Sequence, residues 1–163
     1  MAADSFLKID GIKGESTDDK HKEWIEILSY NWGVSQMASA SASTSGGGTS
    51  QRADFQDLSI VKMLDSASPL LFKACAKGSH ISEVKVELCR AGDDKLTYME
   101  YTMNNVIISS VSTGGGGGGE PTESITFNYG KINLNYIKQA REGGGGAGNV
   151  PAGWDLEANK PIE

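Results

Sequence analysis

The chain has 163 residues, 38% of them hydrophobic, and a formal net charge of −6. That length suits about one domain able to bury its own core. The acidic balance, without a Lys/Arg cluster, excludes nucleic acid and an anionic membrane surface as principal partners. No apolar run reaches about 18 residues, so no helical membrane span is expected.

The opening MAADSFLKIDG lacks a charged stretch followed by an apolar one, so no ordinary secretory signal is expected. Residues 6–10 alternate, with Leu7 and Ile9 on one face, and read as a strand. Residues 11–21 are polar and read as a loop. Residues 24–36 are β-like, but the pattern slips: Ile25 and Ile27 share one parity, while Leu28, Tyr30, Trp32 and Val34 share the other. Such a slip requires a bulge, a bend or burial on both faces. Residues 37–51, MASASASTSGGGTSQ, have almost no large apolar side chain to anchor them. This is long for a loop inside a compact domain, so it reads either as a flexible loop or as one that reaches a neighbouring subunit or the next ring. Its candidate interface residues are Ser41, Ser43, Thr44, Ser45, Thr49, Ser50, Gln51 and Arg52.

A strand is expected over 53–62, with Leu58 and Ile60 on one face. The one helix is expected over 68–77. Ser68 is read as its cap, Pro69 as its first residue, Gly78 as its stop, and Leu71, Phe72 and Cys75 as its apolar face. Nine or so residues cannot hold a helix alone in water, so this one must dock on a sheet. Residues 81–90 alternate clearly, with Val84, Val86 and Leu88 opposite Glu83, Lys85 and Glu87. Ala91 to Asp94 reads as a hairpin turn. The strand after it changes phase at Asn104-Asn105, and a further strand, 124–136, does so at Gly130. Residues 37–52 and 113–121 read as flexible or interface loops, and 139–150 as a glycine-rich loop before the C-terminal strand. Three phase changes in long strands predict bending around corners. The expected fold is therefore mainly β: one domain over 1–163, a β-barrel or curved two-sheet sandwich of about eight strands with a short flanking α-helix.

No catalytic, cofactor-binding or metal-ligating signature stands out. The glycine runs open no helix and are followed by no G-K-[ST]. His21, His80, Cys75 and Cys89 lack metal-ligand spacing, and the cysteines are expected to be reduced, buried thiols in a protein made in the cytoplasm. Asp18-Asp19 and Asp93-Asp94 read as solvated turn residues. Trp24, Tyr30, Trp32 and Trp154 read as core or interface aromatics. An enzyme is not expected. The alternative is a monomeric barrel that binds a small molecule or carbohydrate.

FLKIDGIKGES, SPLLFKACAKGSHISEVKVELCRAGDDKLTYMEYTMNNVIISSVS, EPTESITFNYGKINLNY and GWDLEANK, in this order, closely resemble the haemolysin-coregulated protein family. These are the tube proteins of bacterial type VI secretion. The resemblance implies a homo-hexameric ring, stacked into a tube that resembles phage tail tubes. It implies sheath, spike and baseplate partners, effector proteins in the lumen, and no membrane insertion. It also implies cytoplasmic residence followed by secretion without a signal peptide, driven by sheath contraction.

Overall fold

Alternating side chains make strands here because one face of each can be buried. The computed structural model describes residues 3–36, 52–92, 96–139 and 146–162. These hold β1 (Ala3–Ile9), β2 (Ile25–Ile27), β3 (Ser29–Asn31), β4 (Val34–Ser35), β5 (Asp54–Phe55), β6 (Leu58–Met63), α1 (Ser68–Lys77), β7 (Ile81–Arg90), β8 (Thr97–Gly114), β9 (Thr122–Gln139), β10 (Gly146–Asp155) and β11 (Lys160–Ile162). β10 begins inside the stretch expected to be loop, because Asn149 and Val150 pair with Ile137 and Tyr136. Residues 93–95, which include part of the expected hairpin turn, lie outside the described residues.

The ladder runs β11-β10-β9-β8-β7-β1-β2, with β6 branching from β9 and β3 from β6; β4 and β5 form a separate pair. All pairings are antiparallel. The expected curved, mainly β fold is present, but the sheet is not closed into a barrel. The reason lies in β9. One of its edges serves β8 along its length, while the other is shared, with β6 on Thr122–Phe127 and β10 on Lys131–Gln139. The sheet splits at that point.

The phase changes fall on one line across it. On β7 burial passes from Ile81 to Val84, on β8 from Met103 to Val106, and on β9 from Tyr129 to Ile132. Register puts these positions side by side, with Ile81 opposite Val106 and Val106 opposite Tyr129. Asn105 takes a φ of 54° at this bend, a conformation that asparagine tolerates better than most residues. The C-terminal turn closes over the bend: Leu156 N donates to Gly130 O (2.8 Å), and Asn105 Nδ2 donates to Glu157 Oε1.

The slip at Leu28 has a different cause. β2 pairs β1, and after Leu28 the chain turns so that β3 pairs β6. Ile25 and Ile27 are core, whereas Leu28, Tyr30 and Val34 are exposed.

Helix α1 has the expected bounds and ends at Gly78 in the left-handed conformation. Two expectations about it are corrected. The N-cap is Ala67, without a side-chain cap bond. The Ser68 hydroxyl instead donates to Glu123 Oε2 (2.6 Å) and accepts from Asp65 N (3.1 Å). Phe72 is 67% exposed; Leu71 carries the buried face, with Ala74 and Cys75 packed beside it.

What holds the helix start is a buried charge cluster. After Leu58 and Ile60, the next inward position of β6 is Lys62, fully buried. Its Nζ lies 2.8 Å from Glu123 Oε2, its cross-strand partner on β9, and 2.8 Å from Asp65 Oδ1. It also donates to Ser68 Oγ (3.1 Å) and Met63 O (3.0 Å). Burial alone would raise the Glu123 carboxyl. Hydrogen bonds from Lys62 and Ser68, and the Lys62 charge, outweigh it and hold the group below its ordinary value.

Candidate assembly surface

Beyond the bend, the inward side chains of four strands line up in rows. Leu88 stands opposite Met99, Met99 opposite Tyr136, and Tyr136 opposite Val150. Cross-strand partners point to the same side, so this is one apolar row. It opens steadily: Leu88 is 4% exposed, Tyr136 42% and Val150 51%. The row behind it is also covered at one end. The rings of Tyr30 and Trp32 lie 5.7 and 6.0 Å from Tyr101. Burial, and next the neighbouring Tyr30, push the Tyr101 hydroxyl up to about 12.

The open end of the row coincides with an open strand edge. β11 pairs only with Gly153–Asp155 of β10. Residues 146–152 therefore have no strand partner on that side among the described residues. A free edge carries unpaired N–H and C=O groups and can pair with another strand. On the other face of β9, the buried Asn135 Oδ1 has no hydrogen-bond partner among the described residues. A buried acceptor in this state is costly.

The described residues that flank 37–51 pack against the same side of the molecule. β4 and β5 pair through Val34–Phe55 and Ser35–Asp54. Phe55 stacks on Trp154 at 6.4 Å. Trp32 Nε1 donates to the Tyr129 hydroxyl (2.6 Å), which donates to Gln56 O (2.7 Å). Burial, partly offset by the Trp32 bond, pushes Tyr129 up to about 12. Arg52, the last of the candidate interface residues, donates from Nη2 to Leu156 O. Ser41, Ser43, Thr44, Ser45, Thr49, Ser50 and Gln51 lie outside the described residues.

The remaining chemistry-bearing side chains are distributed as follows. Asp18 is not a solvated turn residue: its side chain is 8% exposed and its Oδ2 lies 2.7 Å from His21 Nδ1. Cys89 is buried as expected, but Cys75 is only half-buried. His80 is exposed, 3.3 Å from Asn105 Oδ1. Sequence spacing did not reveal that His21 and Cys89 meet, because 68 positions separate them. Among the described residues, no helix is long and apolar enough to cross a membrane.

Comparison with known proteins gives a consistent result. Residues 6–136 match the family model described as type VI secretion system effector, Hcp. The chain is 39% identical over 161 residues to Protein hcp1 of Pseudomonas aeruginosa, covering 98% of each. Among solved structures, it is similar to a type six secretion system protein (34% identity, TM-score 0.93, 99% of this chain and 100% of that one). It is likewise similar to Hcp1 from Salmonella typhimurium (35% identity, TM-score 0.80, 99% of this chain and 100% of that one). With this likeness along nearly its whole length, and a backbone to match, the chain belongs to the Hcp family, the tube proteins of type VI secretion.

Proposed function

We propose that six copies of this chain close into a ring and that the rings stack into the hollow tube of a type VI machine. Sheath contraction drives the tube out, and effector proteins travel in its lumen. The chain meets spike and baseplate components at the tube ends, and it leaves the cytoplasm by this route. The observation that carries the reading is the apolar row ending at Tyr136 and Val150 beside the free edge of β10. A strand edge with apolar side chains at its margin is suited to a neighbouring copy. Sedimentation velocity at micromolar concentration should show a hexamer, and negative-stain micrographs should show rings. A monomer by both methods sinks the proposal and favours a self-contained module that binds a small molecule or carbohydrate.

The 37–51 segment is the second contact, made with the next subunit or ring. The described residues on either side of it are held to the folded body by the β4–β5 pair, the Phe55–Trp154 stack and Arg52. Deleting residues 41–50 should leave the unfolding transition in place and shorten the stacks seen in micrographs. Stacks of unchanged length would remove this role.

A further inference from the structure

On the outer face of the sheet, away from the apolar rows, three different ligand types converge. Glu87 and Cys89 are two apart on β7, so both point to the face opposite Val86 and Leu88. The segment between β1 and β2 folds over this face and carries His21 onto it. The His21 ring stacks parallel on Phe6 at 4.2 Å and meets the edge of Trp24 at 4.8 Å. Its Nε2 lies 2.6 Å from Glu87 Oε2 and 3.8 Å from Cys89 Sγ. The three donor atoms all fall within 4.8 Å of one another. The other ring nitrogen, Nδ1, faces Asp18 Oδ2 at 2.7 Å. A break in the β7–β8 register between Leu88 and Cys89 makes Tyr98 an extra residue. It brings Thr97 Oγ1 to 3.3 Å from both Cys89 Sγ and Glu87 Oε2.

We propose that His21, Glu87 and Cys89 form a binding site for a zinc-class divalent cation, with Asp18 as the positioning residue that orients the imidazole through Nδ1. Thiolate, imidazole and carboxylate are the ligands zinc takes, and a metal-bound histidine characteristically gives its second ring nitrogen to a carboxylate. Ordinary zinc–ligand lengths in a tetrahedron place the donor atoms about 3.4–3.6 Å apart. The His21–Cys89 distance of 3.8 Å is close to that. The His21–Glu87 contact of 2.6 Å has to open by less than about 1 Å, replacing a hydrogen bond by two metal bonds. Binding displaces the proton from the Cys89 thiol and any proton on Nε2, both released to solvent. The fourth position is left to water on the Glu87 side, the most open of the three ligands. A simple ion-pair clamp of His21 between Asp18 and Glu87 accounts for the carboxylates but gives the buried thiol no part.

Cobalt(II) titrated into the purified full-length protein is the probe. A tetrahedral cobalt spectrum with a thiolate-to-metal charge-transfer band should saturate at one equivalent per chain and be displaced by zinc. The band should vanish in Cys89→Ser and survive in Cys75→Ser. Asp18→Asn should keep the spectrum but weaken binding about 10–100-fold. Absence of the thiolate band in the unaltered protein overturns the site, and that titration depends on no variant folding. A band that survives Cys89→Ser, or disappears in Cys75→Ser, overturns it equally.

Discussion

Leu88 and Val150 sit on the same row of the same sheet, yet Leu88 is 4% exposed and Val150 51%. The difference is not chemical, since both are aliphatic and both face the apolar side. It comes from what the chain places above them. At the β7 end, the row belongs to the core shared with β1, β2 and β6. At the β10 end, the described residues leave it open beside a strand edge without a partner. A row closed at one end and open beside a strand edge at the other is what the proposed contact with a neighbouring copy requires.

Substitutions at the closed region should be felt in stability, and those at the open margin in assembly. The largest effect is expected at Lys62. Lys62→Met leaves Glu123 and Asp65 without their cation, and loss of one partner from a buried pair costs about 3–5 kcal/mol. Urea unfolding should show this, and Lys62→Met combined with Glu123→Leu should regain part of it. A Lys62→Met protein of unaltered stability would mean that the cluster does not hold the helix start.

An intermediate effect is expected with pH. Because the folded Glu123 carboxyl is held below its ordinary 4.5, its contribution is fully present above that value. It is lost as pH falls through the lowered folded value. Glu123→Gln should therefore flatten the acid limb of the stability curve while leaving the rest of its shape; an acid limb as steep as before would assign acid unfolding to other carboxylates.

The smallest effect on folding, and a decisive one on assembly, is expected at the margin. Val150→Asp should change stability by about 1 kcal/mol or less, since the site is half exposed. It should nevertheless shift the sedimentation profile from ring to monomer. A ring that tolerates an aspartate there would place the subunit contact elsewhere and end the contrast with Leu88.

Much of the architecture was legible because period two is a local property. The alternation in 81–90, the slips at Asn104-Asn105 and Gly130, and the helix with its stop at Gly78 all follow from neighbours a few positions apart. The misses share a cause. Lys62 occupies a position where alternation demands an apolar side chain, and it is tolerated only because Glu123, 61 positions away, lies opposite it. Ser68 looked like a cap because a hydroxyl before a helix can bond the helix backbone; a buried carboxylate from another strand took that hydroxyl instead. Asp18 looked solvated because turn carboxylates are, and His21 changed that. The assembly margin left no mark of its own, since Val150 reads like any strand valine.

The sequence alone therefore determined a bent, mainly β chain with one short docked helix, and its extended likeness to the Hcp tube proteins. Those properties reside in alternation, turn residues and order along the chain. Only the tertiary structure decided which side chains beyond the bends are covered, which carboxylate meets which cation, and where the sheet is left unfinished. Burial and charge pairing depend on partners distant in sequence, and a period-two pattern specifies a face without specifying what lies over it.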